Sequence, residues 1–444
     1  MSRGIFNRIF IALIILSGSA FNAGAQAFSS FAPYSIFGFG DMALQGTAYN
    51  KSMGGVGVAT RNNRFINIMN PAAVTARDTL SFMADFSVYA DNKVFRQGDL
   101  KSAVNTFNIN DLVMSFPLYK TSAMMVGISP YSGTGFAYSY DYLDPEIIGH
   151  TGSVGYAASG QGALYEGFVA AGVMFWKRLS LGAQLNLVFG GIEKTFGESF
   201  TDSSYGGIKN GSTIQLNGFS GKFGLQYEQP IGAKSKVTVG ATYKMGTSFK
   251  GYIEEYSYTS NSVSSDTLYY HADTLAQTPG RVKSADEIGI GISYKHGDNF
   301  MAEFDYTRAD WTGTGLDKQS AFITNKTTTS STSAFSTSVS QSFRFGLEWV
   351  PNRNDIRYYF KRVAYRVGAY YKTDYFKLDG RDITSMGITL GATLPIYRWY
   401  NGLTVGMEIG KRGSLADNMV KENYVNFSIG VNIFDIWFQK PKYE

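Results

Sequence analysis

From about Leu80 to Phe438 the apolar residues of this chain fall two apart, again and again. Val237, Val239, Ala241 and Tyr243 alternate with Thr238, Gly240, Thr242 and Lys244. Ile288, Ile290, Ile292 and Tyr294 alternate with Glu287, Gly289, Gly291 and Ser293. The same holds for Phe343, Phe345, Leu347 and Trp349, and for Leu403, Val405, Met407 and Ile409. A period of two with one apolar face predicts strands. The other face carries Gly, Thr and full charges, and the connections alternate between short and long. That is the pattern of a barrel in lipid, apolar outward and polar inward. Hydrocarbon admits only helices and closed barrels, because unpaired backbone groups find no water there. The fold class expected is all-β: a transmembrane antiparallel β-barrel.

Short turns are expected near 117–121, 176–178, 229–234, 296–299, 351–357 and 395–401. Long polar excursions fall near 90–104, 143–160, 192–212, 255–280, 313–335, 374–383 and 412–422. Six short turns and seven long loops join 14 strands with both ends on the short-turn side, the periplasmic side of such barrels. Trp176, Trp349, Trp399 and Trp437 sit at that rim and Trp311 at the outer end of its strand, which reads as an aromatic girdle. The polar tract TTTSSTSAFSTS within the 313–335 loop and just beyond it reads as solvated and mobile.

Composition narrows the function. The chain has 444 residues, no Cys and 3 His, so a disulfide framework, thiolate metal sites and a Cys nucleophile are excluded. His150, His271 and His296 are scattered, leaving no metal site, no cofactor and no catalytic constellation to defend. The formal charge of +5 is modest and no basic run interleaves with aromatics, so nucleic acid is not an expected partner. Residues 1–25 read as a signal peptide, with Arg3 and Arg8, an apolar run from Ile9 to Leu16, and the small residues Ala23-Gly24-Ala25. The product is expected in the bacterial outer membrane.

One stretch neither repeats nor alternates: Met53 to Ala73, MGGVGVATRNNRFINIMNPAA. It reads as a plug, so that residues 26–78 form an N-terminal hatch and 79–444 the barrel around it. Its glycines do not make a nucleotide loop, since a phosphate cradle needs a strand before it and a helix after it. Two further clusters stand out. Glu303 and Asp305, Arg344 and Glu348, and Arg362 and Arg366 carry opposite charges on three successive strands, at similar heights inside the barrel. They read as a ladder of lumen salt bridges that also grips the plug through Arg61 and Arg64, with an ion or ligand track as the alternative. In the third strand, Pro130, Gly133 and Gly135 interrupt the alternation. Pro cannot donate to a ladder and Gly marks bends. Either a side window opens there toward the bilayer, or the strand ends near Ser129 and a loop begins.

Together these features resemble the FadL-type outer-membrane transporters. Gly55-Val56-Gly57-Val58-Ala59 followed by Asn70-Pro71-Ala72 matches the hatch motifs of that family, and Pro33 to Asp41 resembles the start of its members from the Bacteroidota. The resemblance implies a hatch with Gly55, Gly57, Asn70, Pro71 and Ala72 in plug or gating roles. It implies a kinked third strand at Pro130, Gly133 and Gly135, and a cargo of fatty-acid-like hydrophobic molecules released sideways into lipid. Relatives in one branch serve instead as subunits of a secretion machine, so a docking role toward other outer-membrane or periplasmic proteins is the alternative expectation.

Overall fold

In the computed structural model the described residues are 30–77, 80–142, 145–201, 207–260, 265–266, 270–274, 282–322, 335–397, 401–416 and 419–436. Fourteen antiparallel strands close into a barrel. They are β1 (Ser81–Gln97), β2 (Leu100–Tyr119), β3 (Ser122–Asp141), β4 (Val154–Phe175), β5 (Leu179–Phe200), β6 (Gly207–Ile231) and β7 (Ser235–Lys244). They continue as β8 (Glu287–His296), β9 (Phe300–Asp310), β10 (Val339–Trp349), β11 (Ala364–Leu378), β12 (Arg381–Tyr397), β13 (Asn401–Arg412) and β14 (Lys421–Ile436). Closure is made by β14 on β1, from Ile436↔Ser81 to Lys421↔Arg96. Beyond β7, the segment Lys250–Ser260 carries the wall upward against β6 and is itself paired by Tyr270–Thr274. The signal peptide, Trp399 and Trp437 lie outside the described residues.

The alternation places its residues as period two requires. Leu185, Phe219, Ile288, Ile388 and Ile429 point outward and stay exposed, while Asn186, Ser220, Thr389 and Ser428 point inward and are buried. An apolar belt therefore encircles a polar lumen, the arrangement a barrel needs in lipid.

Several expected boundaries shift. Residues 90–104 and 374–383 are not loops: β1 runs into β2 through Gly98–Asp99, and β11 into β12 through Asp379–Gly380. Polar residues there continue the strands past the belt into water, where a polar outward face costs nothing. The connection expected at 351–357 is longer, running to the 3-10 turn Tyr359–Arg362. At the two ends of the 313–335 loop, Phe322 and Phe335 are buried in the mouth of the barrel with Phe39, Phe249 and Phe376, while most of its polar tract, 327–334, lies outside the described residues. Trp311 joins the same cluster, 5% exposed, with its ring 4.8 Å from that of Tyr375. It is a packing residue of the mouth and not part of a girdle.

Candidate functional site

Residues 30–77 thread the lumen from the long-loop end to the short-turn end. The lumen face of the wall is shaped for them. Gly182 lies against Pro71, Gly240 against Val58, Gly346 against Met53 and Gly368 against Gly54, and a Cβ at any of these wall positions would collide with the segment. Glycine in these strands buys close approach of one backbone to another.

The Gly-rich run is held by its amides. Gly57 and Val58 donate to Asp305 Oδ2 at 2.7 and 2.9 Å. Ala59 donates to Glu303 Oε1 at 2.9 Å, and the Thr60 hydroxyl donates to Glu303 Oε2. Gly55 offers its carbonyl to Arg344 Nη1 at 3.1 Å. Successive N–H groups converging on one acceptor form a nest, and the acceptors here are the two carboxyl groups of β9. Lower down, the Asn70 side chain caps Ala72 N–H at 3.0 Å and donates to Val58 O at 2.7 Å and to Leu225 O of β6 at 3.2 Å. Pro71 opens the 3-10 turn Pro71–Thr75, in which Ala72 is fully buried.

The expected charge ladder is only partly assembled. Arg366 Nε and Glu348 pair at 2.8 Å, and the Arg366 guanidinium lies 4.3 Å from the Tyr49 ring of the plug. Asp305 stands opposite Arg344 in the β9–β10 register, but its Oδ2 accepts from plug amides. Arg362 is not in the lumen: it lies in the turn before β11, 5.1 Å over the Tyr359 ring. Nor do Arg61 and Arg64 reach the cluster. Arg61 donates to Ser180 at 2.8 Å and to Gln226 at 3.2 Å and lies 3.8 Å from Glu228, while Arg64 faces Asp298 at 3.7 Å. At Glu303 and Asp305 the grip runs largely through backbone amides, which carry no letter in a sequence.

The third strand does not end at Ser129. It continues to Asp141, paired throughout with β4 apart from a bulge between Pro130 and Ser132. Its other edge changes partner. The ladder with β2 runs from Tyr119↔Ser122 to Leu112↔Ile128 and stops there, and beyond it β2 keeps, among the described residues, only β1 as neighbour. The N-terminal segment takes the vacated edge of β3: Asp41↔Gly133 and Met42↔Ser132 pair as a short strand, and Ala32 N–H donates to Gly135 O at 2.8 Å. So Pro130 stands at the bulge, and Gly133 and Gly135 receive the lumen segment.

This seam begins within the apolar belt, since Phe107 and Ile109 of β2 lie beyond the split and point outward. A cavity of about 560 Å³ sits behind it. Its lining includes the lumen-facing Lys51, Tyr89 and Glu408 and also the outward-facing Phe107, Ile109, Ile128 and Tyr165.

A charge cluster missed by sequence reasoning closes the top of the cavity. Arg412 bonds Asp41 of the plug and reaches Asp374 at 2.7 Å, while Lys93 lies 3.5 Å from Asp41. Burial raises the Asp41 carboxyl, but the Arg412 and Lys93 charges outweigh it and hold the group at about 2. The one signal in the sequence was a lone acid ending the aromatic run Pro33–Gly40.

The fold is a closed antiparallel barrel with the chain's own N-terminal segment threaded through its lumen. The family model described as BamG matches residues 5–444, and the chain belongs to the BamG family. No curated protein matches the sequence. Among solved structures, the fold is similar to CymD, titled a monoaromatic hydrocarbon channel, at TM-score 0.57 and 13% identity over 88% of this chain and 97% of that one. The Ralstonia pickettii toluene transporter TbuX gives 0.55 and 14%, over 87% and 97%. A Pseudomonas aeruginosa FadL homologue gives 0.53 and 10%, over 90% and 100%.

Proposed function

We propose that the protein passes hydrophobic small molecules of fatty-acid-like shape from its outer mouth into the membrane, sideways through the seam between β2 and β3. The observation that carries this reading is the cavity at the seam, lined at once by lumen-facing and lipid-facing side chains. Lateral release is the favourable direction for an apolar solute, which gains roughly 25 cal/mol for each Å² moved from water to lipid. In this account Gly55, Gly57 and Asn70–Ala72 anchor the plug and stay in place. Movement belongs to residues 30–45, which rest on β3 beside Pro130, Gly133 and Gly135.

The chain has no cysteine of its own, so a lock can be engineered cleanly. Met42 and Ser132 are directly paired across the short strand, within the roughly 4.4–6.8 Å Cα spacing that a disulfide tolerates. The oxidised Met42→Cys/Ser132→Cys double variant is expected to stop uptake of a labelled long-chain acid by whole cells, and reductant to restore it. Equal uptake by the locked and reduced forms would overturn the reading.

A second reading is favoured by membership of the BamG family: a barrel that serves as a docking subunit of an outer-membrane assembly machine. Purification from native membranes in mild detergent separates the two. Stoichiometric partner proteins without bound amphiphile support docking, and bound amphiphile without partners supports transport.

A further inference from the structure

Ile356 is 93% exposed, more than any other large apolar side chain among the described residues. It stands in the turn between β10 and β11, in the run Ile356-Arg357-Tyr358-Tyr359-Phe360-Lys361-Arg362. Tyr358 and Phe360 of the same run are also exposed, Phe360 at 73%. The turn is closely tied. Asn352 N–H donates to Lys361 O at 2.8 Å and closes its base. Asp355 Oδ1 accepts from the amides of Arg357 at 2.9 Å and Tyr358 at 2.7 Å. Large apolar side chains held together in the open by a fixed turn mark a contact surface.

Two tyrosine hydroxyls show which way that surface faces. Tyr365 points outward from β11 on the same side as Val367 and Tyr371, and its hydroxyl donates to Phe360 O at 3.1 Å. Tyr359 donates to Pro395 O of β12, also at 3.1 Å. The turn is thus folded over the outer side of the wall. Its rings continue the apolar belt: Phe360 meets Tyr359 edge-on with ring centres 5.9 Å apart, and the rings of Trp349 and Tyr365 are 6.1 Å apart. Cations lie on these rings. Arg357 and Lys361 are 5.3 and 4.7 Å from the Tyr358 ring, and Arg362 is 5.1 Å from that of Tyr359. Asp355 is the one acid between Pro351 and Val363. Amphipathic rings settle at headgroup depth, and long basic side chains beside them carry their charge out to the phosphates. The leaflet that covers the belt at Trp349 and Tyr365 therefore reaches the turn as well.

We propose that this turn is a binding site for the head groups of anionic phospholipids in the leaflet at the short-turn end. Ile356, Tyr358 and Phe360 enter among the upper acyl carbons, and Arg357, Lys361 and Arg362 meet the phosphates. The site is separate from the seam and independent of any transported molecule. It anchors β10, β11 and β12 in the membrane from the turn side.

The test uses the full chain, which has no native cysteine, with a fluorophore on Ile356→Cys, in vesicles of mixed phosphatidylcholine and phosphatidylglycerol. Either lipid is supplied in turn with a nitroxide near the top of one acyl chain. Labelled phosphatidylglycerol is expected to quench the fluorophore about fivefold more efficiently than labelled phosphatidylcholine, the scale of one basic residue at an anionic surface. Adding Arg357→Gln and Lys361→Gln should bring the two lipids level, while quenching by both persists and shows that the variant is folded and inserted. Equal quenching by the two lipids before the charges are removed, or quenching mainly by a water-soluble agent, overturns the assignment. A photoreactive benzophenone on the same cysteine, irradiated in native membranes, tests the other occupant. Lipid adducts support the site, and a predominant adduct with another protein overturns it in favour of a docking surface.

Discussion

At the scale of single residues, two carboxylates on one strand decide where the plug sits. Asp305 and Glu303 accept hydrogen bonds from four successive plug residues, Gly57 to Thr60, all of them buried. Removing an acceptor leaves buried donors unpaired at about 1–3 kcal/mol each. Asp305→Ala is therefore expected to speed amide hydrogen exchange at Gly57 and Val58. Thr307→Val, which breaks only the 2.7 Å Thr307–Ser342 contact between wall residues, should leave those two amides as protected as before. The lumen glycines test the same contact from the wall. A methyl group at Gly368 would collide with Gly54 and the Met53 carbonyl carbon, whereas one at Gly197 would meet its nearest neighbour, Ile208 O, at an ordinary 3.6 Å. Gly368→Ala should lower the thermal midpoint in detergent by several degrees, and Gly197→Ala should leave it unchanged.

Elements show where the sequence was legible and where it was not. Alternation is a local signal, so the strands and their inward and outward faces could be read directly, and most turns lay close to their expected places. Strand length was another matter. Polar residues at 90–104 and 374–383 looked like loops because the lipid belt stops there, yet hydrogen bonding to the neighbouring strand continues to Gln97↔Leu100 and Leu378↔Arg381. Mouth packing was invisible for a different reason: Phe322 precedes, and Phe335 sits within, a Ser/Thr-rich stretch whose composition says only that it is polar. Nothing local could show that β3 trades β2 for a strand of its own plug, since that exchange is a matter of register between distant segments. Pro130 and the two glycines marked the place without saying which alternative held.

The latch on that short strand has a defined pH dependence. Asp41 is held at about 2, below its ordinary 3.8. Its stabilising effect is thus fully present above about pH 4 and fades as the pH falls toward 2. Wild type and Asp41→Asn should still differ in thermal midpoint at pH 4. The gap should close as the solution approaches pH 2. A gap that closes already at pH 5 would remove Asp41 from the latch.

On the scale of the whole molecule, the barrel is closed at the level of its short turns and split at the level of its outer belt. Behind the split, the plug is fixed by the wall carboxylates and by Asn70, while its first residues lean on β3. A permanent seal and a gate differ in whether those first residues move, and the seam gives them a place to open onto.

The claim that the lumen communicates with lipid through the seam can be measured without any ligand. Ser129 and Ser342 are both buried, inward-facing wall residues, but Ser129 lines the seam cavity on β3 while Ser342 sits in β10, bonded to Thr307 in a fully paired stretch of wall. With no native cysteine to interfere, each can be replaced singly by Cys and the protein placed in lipid vesicles. A bilayer-dissolved alkyl maleimide is expected to label Ser129→Cys much faster than Ser342→Cys, and faster than a membrane-impermeant maleimide does from water. Equal, slow labelling of both positions from the bilayer would mean that the wall beside Pro130 is sealed, and would contradict the account.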